Sequence, residues 1–220
     1  MRDNWTSSEL GELVHVDPEQ LSSNTATEYS FFYIDISSVD TGVINMPMHE
    51  IKYKGSPSRA RKKLKNKDIL MSTVRPNLKS FAHFKYEGSN NFIASTGFAV
   101  IREKVGSDIE FIYHSLFSMF VEKQIDTLVV GSNYPAINSS DVRKLEINYP
   151  PLPQQRKIAH ILTTCDTVIK KTEAAIAKYQ AAHSAESGHP FRKLTDTFLE
   201  NFFVLKLKHF IHFFSNFFAL

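Results

Sequence analysis

The 220 residues are 42% hydrophobic and 22% charged with a net charge of +3, the balance of a chain that buries a core. One cysteine, Cys165, excludes an internal disulfide framework and any zinc site built from several cysteines. Eight glycines, none at Gly-x-Gly spacing, exclude the dinucleotide fingerprint, the Walker loop and a glycine-rich methyl-donor loop, each of which brings bare backbone against a cofactor. Residues 1–9 hold no apolar run, so no secretory signal is expected, a reducing cytoplasm is the expected compartment, and the sequons at Asn4 and Asn138 are read as coincidences.

The charge is unevenly placed. Residues 1–50 carry nine acidic side chains against Arg2 alone, whereas residues 51–85 carry eleven Lys or Arg against Asp68 alone. An excess of that size calls for screening by solvent or by an anionic partner. The basic run is interleaved with apolar residues, contains Ser58, Arg59, Arg61, Arg75 and Asn77, and is followed by Phe81, Phe84 and Tyr86. Such a mixture suits phosphates and base edges better than a plain solvated face.

In chain order, residues 9–21 predict a strand ending at Asp17-Pro18, and Ser22–Thr27 a loop. Tyr29–Val39 alternates as a strand; residues 54–67 predict a basic turn with a short helix or loop. Ile69–Val74 is a strand stopped at Arg75-Pro76, where proline withdraws a ladder donor and restricts its predecessor. Residues 91–102 predict a strand pair broken near Gly97, residues 108–126 have helical spacing, and Leu145–Tyr149 is a last strand. After Pro150, Pro151 and Pro153, residues 154–183 predict one long helix. Its apolar seam is Ile158, Leu162, Cys165, Ile169, Thr172, Ile176 and Tyr179, the narrow 4-3 spacing of a coiled coil; packing on the helix's own domain is the alternative. Residues 188–220 hold nine of the 18 phenylalanines. Lys206, Lys208, His209 and His212 interrupt that stretch, so a membrane span is not expected; an interfacial helix is one reading and a frame-shifted or truncated end the preferred one.

Enzymatic motifs are weak. Asp40 with Glu50 and Lys52 has the outline of a Mg²⁺-dependent nuclease centre, a spacing that also arises by chance. No nucleophile elbow is present, Cys165 sits on the helix seam, and His209 and His212 lack a third metal ligand.

Four segments together resemble the target-recognition domain of Type I restriction–modification specificity subunits. They are residues 56–63 with 68–79, Ala94–Val100, Gly131–Ile137, and Tyr149–Ala159 with its Pro-Pro-Leu-Pro-Gln-Gln run. The chain has Gln154 where the family commonly has Glu, and Lys67 where it often has Gly. The resemblance implies an α+β fold: a mixed-sheet recognition domain over residues 1–152, a long coiled-coil helix over 153–187, and an atypical tail over 188–220. It implies a non-catalytic reader of double-stranded DNA, one half-subunit where full-length members have two recognition domains and two helices. It further implies methyltransferase and restriction subunits as partners, which bring S-adenosylmethionine, ATP and Mg²⁺, and self-association through the long helix. Arg59, Arg61, Arg75 and Asn77 are the expected groove contacts, Lys62, Lys63 and Lys79 the expected phosphate contacts, and Ser58 a further expected DNA-binding residue. Asn133 and Tyr134 are expected on a second DNA-facing loop. A non-assembling remnant of such a subunit is the other outcome the resemblance allows.

Overall fold

A computed structural model describes residues 4–129 and 135–183. In chain order they form β1 (Thr6–Glu9), the one-turn helix α1 (Leu10–Leu13), β2 (Val14–Val16), β3 (Ser30–Ile34), β4 (Val39–Asp40), β5 (Val43–Ile44) and β6 (Glu50–Lys52). Then follow β7 (Ala60–Lys63), β8 (Ile69–Ser72), β9 (Phe81–His83), β10 (Phe92–Ser95) and β11 (Phe98–Glu103). The chain continues through α2 (Ile109–Ser115), α3 (Met119–Leu128), α4 (Ser139–Arg143), β12 (Glu146–Tyr149) and α5 (Leu152–His183). The expected tail over residues 188–220 lies outside the described residues.

Two four-stranded sheets carry the fold. One is antiparallel, in the order β2-β11-β8-β9; the other is mixed, β6-β3-β10-β7, with β10 parallel to β3. Strands β8 and β11 are covered on both faces, which is why Ile69-Leu70-Met71 and Phe98–Ile101 read as continuous apolar runs. Ile69, Met71, Ala99 and Ile101 point to a core shared with α2, α3, α4 and the root of α5. Leu70, Phe98 and Val100 point the other way, to Phe92 and Ala94 of the mixed sheet. The layers are therefore helices, antiparallel sheet and mixed sheet, the α+β arrangement expected.

Several expectations are revised in detail. Residues 60–63 of the basic stretch form a strand, β7, at the edge of the mixed sheet, rather than a helix or loop. Its ladder to β10 supplies what a run of Lys and Arg lacks in strand propensity, and charged edges are common because they resist stray pairing. Residues 91–102 divide between the two sheets, and residues 108–126 divide into α2 and α3 because Ser118 caps a new helix, its Oγ accepting from the Val121 N–H at 3.3 Å.

Buried charge stitches the layers together. Asp17, at a left-handed φ of 55°, exchanges hydrogen bonds with Val100 and accepts from Lys62 Nζ at 2.7 Å. The same ammonium donates to the Phe98 carbonyl and to Ser139 Oγ at 3.2 Å. Arg102 grips the buried Asp68 carboxylate with two bonds of 2.8 Å and Glu19 with one of 2.6 Å.

The long helix is welded to the domain at its root. Gln155, buried, donates to the Pro150 carbonyl at 2.9 Å and accepts from the Asp108 N–H at 3.0 Å, tying the starts of α5 and α2. Ile158 and Leu162 belong to the domain's own core. That part of the expected coiled-coil seam is therefore closed to a second chain, and the alternative of self-packing holds there. Beyond Lys170, whose Nζ donates to the Gly42 carbonyl at 3.3 Å, the helix continues for about 20 Å. Of the other seam residues, Ile169 is buried and so also closed to a second chain, Cys165, Thr172 and Ile176 are half-buried, and Tyr179 is exposed. A histidine pair fills the joint: His114 Nε2 lies 3.0 Å from Thr163 Oγ1, and His83 stacks edge-on against Tyr113.

Candidate nucleic-acid interface

Four segments lie side by side at one end of the sheets. The Thr96 N–H donates to the Arg59 carbonyl at 2.8 Å. On the other flank of that turn, Thr73 donates to the Gly97 carbonyl through both its N–H and its Oγ1, each at 2.9 Å. Ile137 N–H in turn donates to the Thr73 carbonyl at 2.9 Å, and Arg75 N–H to the Pro135 carbonyl at 2.7 Å. The result is one rim running from Arg59 through Thr96 to Arg75 and Pro135.

Gly97 sits close against a neighbour in this rim. A Cβ there would lie 2.1 Å from Ile36 Cδ1, so any larger residue would require the Ile36 side chain to move. The turn leaves Thr96 exposed at the centre of the rim. Thr96 belongs to the Ala94–Val100 segment, and the tertiary arrangement turns it outward between two arginines.

The expected DNA-contacting residues divide into three groups. Ser58, Arg59, Arg75 and Asn77 are exposed on the rim. Arg61 is half-buried on β7, its guanidinium 5.4 Å above the Tyr53 ring, and Lys79 is half-buried with its Nζ 3.0 Å from Glu122. Lys63 is at the far end of β7, about 10 Å from Ala60 along the strand, where it lines an open pocket of about 360 Å³ with Lys65, Asn66 and Tyr86. Lys62 is corrected: at 5% exposure, with its ammonium occupied by Asp17, Phe98 and Ser139, it is an internal brace and does not face a phosphate. Ser72 and Thr73 likewise spend their hydroxyls on the Val74 and Gly97 carbonyls. Asn133 and Tyr134 lie outside the described residues; Pro135, which follows them, is bonded to Arg75.

The charge imbalance of the sequence is partly settled inside the molecule. Lys52, Lys62 and Lys65 pair with Glu28, Asp17 and Glu19 of the acidic segment, and Lys79 and Lys85 pair with Glu122 and Glu110. Lys65 and Arg102 together hold the Glu19 carboxyl below its usual range. Among the described residues Arg59 and Arg61 form no ion pair of this kind, which leaves positive charge on the rim side of β7.

Nothing in the geometry favours the alternative nuclease centre, whose residues are divided between two sheets. Asp40 is in the β4–β5 ribbon, whereas Glu50 and Lys52 are on β6 of the mixed sheet, with Lys52 turned to Glu28. Among the described residues no three His, Cys, Asp or Glu side chains gather as metal ligands, and no helix is long and apolar enough to cross a membrane.

Comparison with known proteins agrees with the geometry. The profile of the Type I restriction modification DNA specificity domain matches residues 2–178. The chain is 28% identical over 175 residues to the Type I restriction enzyme HindI specificity subunit of Haemophilus influenzae, covering 76% of this chain and 36% of that protein. It is 28% identical over 81 residues to the MjaIX specificity subunit of Methanocaldococcus jannaschii, covering 37% and 19%. The crystal structure of the HsdS subunit from Thermoanaerobacter tengcongensis superposes with a TM-score of 0.62 at 30% identity, over 86% of this chain and 53% of that one. The chain thus spans about a third of the first curated relative and about half of the solved one.

Proposed function

Because the chain belongs to the Type I restriction modification DNA specificity domain family, we propose that it reads one half of a bipartite DNA target and performs no chemistry itself. The observation that carries this reading is the rim: backbone hydrogen bonds set Arg59, Thr96 and Arg75 in a row, with Asn77 on the adjoining turn. Arginine matches the O6 and N7 of guanine, asparagine the N6 and N7 of adenine, and threonine either kind of edge. Lys63 adds phosphate affinity, whereas the Lys79 ammonium is held by Glu122.

Methyltransferase and restriction subunits are the proposed partners, and S-adenosylmethionine, ATP and Mg²⁺ would act on those chains. Self-association is proposed through α5, using the apolar side chains its own domain leaves uncovered: Ile161, Val168 and Tyr179 are 47%, 48% and 54% exposed. A symmetric pair of readers selects two inverted half-sites at fixed spacing. Selection from a random duplex library, using the chain mixed with its neighbouring methyltransferase, tests this. Two inverted half-sites support a symmetric reader; a folded chain that enriches no motif overturns the proposal and favours a non-assembling remnant.

A further inference from the structure

We propose that Leu78 reads sequence by apolar contact, packing on the C5-methyl group of a thymine in the major groove. The inference rests on the DNA-reading function proposed above and adds to it a residue of a different chemistry.

Pro76–Leu78 form a single 3-10 turn whose flanks, Arg75 and Lys79, both take left-handed backbone, with φ of 48° and 53°. Neither is glycine, and long side chains rarely adopt this region. Such conformations persist where the surroundings over-determine them, and they cluster at ligand-contacting sites. Here the surroundings are explicit. Arg75 N–H is held by the Pro135 carbonyl, and the Lys79 carbonyl accepts from Phe81 N–H at 2.7 Å and from Thr41 Oγ1 at 2.9 Å. Lys79 Nζ is anchored to Glu122.

The turn divides its three residues between inside and outside. Pro76 is buried, whereas Asn77 and Leu78 face out, Leu78 with 60% of its surface exposed. The tethered turn fixes the backbone that carries Leu78, so little backbone order has to be created when it meets a partner. Its neighbours define that partner. Arg75 and Lys79 flank the apolar tip and Asn77 adjoins it, an arrangement that suits an anionic surface displaying base edges. In the major groove the thymine methyl is the apolar group that a base pair presents.

The test removes that methyl alone. In the half-site selected by the full-length protein, each thymine is replaced in turn by deoxyuridine and affinity is measured for wild type and Leu78→Ala. One replacement should weaken wild-type binding about fourfold, the worth of one buried methyl group. Leu78→Ala should bind the thymine and uracil duplexes equally, with an unchanged salt dependence and an unchanged melting temperature, since its side chain faces out. Indifference of wild type to every uracil, an equal loss in Leu78→Ala, or a half-site without A·T pairs would each overturn the inference. Failure of wild type to select any motif would instead overturn the reading on which it rests.

Discussion

Lys62 and Arg75 belong to the same basic segment, and burial separates their roles. The Lys62 ammonium is enclosed with the Asp17 carboxylate, at 6% and 5% side-chain exposure. Removing one partner of such a pair strands the other charge in a poorly solvated site, at a cost of about 3–5 kcal/mol. Lys62→Met should therefore lower the urea midpoint sharply. Its folded fraction should keep the DNA affinity and salt slope of wild type, because no phosphate contact is lost. Arg75→Ala should show a different pattern: a loss of about 1–3 kcal/mol on the selected target and relaxed preference at one base position. Lys63→Ala should weaken selected and random duplexes alike and flatten the salt dependence by about one phosphate contact. A titration series at several salt concentrations separates the three variants. A preserved base preference in Arg75→Ala would remove that residue from the reading set.

The joint between α5 and the domain gives the fold a pH dependence of its own. Burial, followed by the charge of Lys85, lowers His83 to about 3, and burial lowers His114 to about 4. Both histidines bind a proton in the unfolded chain near pH 6.5 and resist one in the folded chain. Their contribution is thus complete above about pH 6.5 and is lost as pH falls towards 4. For His83 the loss at pH 5 is roughly 2 kcal/mol. Asp68 and Asp166 act with the opposite sign, since burial raises both carboxyls, and their stabilisation declines as pH rises above 3.8. His83→Phe isolates the histidine part. Its ring would keep the edge-on contact with Tyr113; among the described residues neither ring nitrogen of His83 is hydrogen-bonded, and the polar neighbour lost is the Glu110 carboxylate, 3.5 Å from Nε2. Thermal melts at pH 7 and pH 5 should show a smaller acid loss in the variant; equal losses would place the pH dependence elsewhere. This joint was not legible in the sequence, because histidine spacing along the chain says nothing of which strand α2 will cover. What was legible followed from local rules. Ile69–Ser72 ends near Arg75-Pro76, the break at Gly97 separates two strands, and the triple-proline region starts α5. Strand β7 escaped because its evidence is a partner, β10, and not an internal pattern. For the same reason Lys62 reads from the sequence as a phosphate contact, whereas the fold makes it an internal brace: its partner Asp17 is distant in sequence and adjacent in space.

At the scale of the whole molecule, the domain leaves one large element half used. The α5 root is buried through Ile158, Ala159 and Leu162, so its docking needs no second chain. Ile161 and Val168 are seven residues apart, on the side of the same helix that the domain does not cover, and Tyr179 follows further out. Seven residues return a helix to nearly the same face, so these side chains form a stripe that a second helix can cover. The half-buried Cys165, Thr172 and Ile176 lie along its margin. A partner aligned antiparallel would bring two recognition rims to fixed separation about a two-fold axis, which converts a structural contact into a rule for half-site spacing. Val168→Glu introduces a charge into that stripe while leaving the root untouched. If pairing runs through α5 as proposed, light scattering on the full-length protein should report a dimer for wild type and a monomer for the variant, with an unchanged melting temperature for the domain. The same variant, put through duplex selection, should recover a single half-site in place of two inverted ones. If it remains dimeric and still selects both half-sites, pairing does not run through this face of α5.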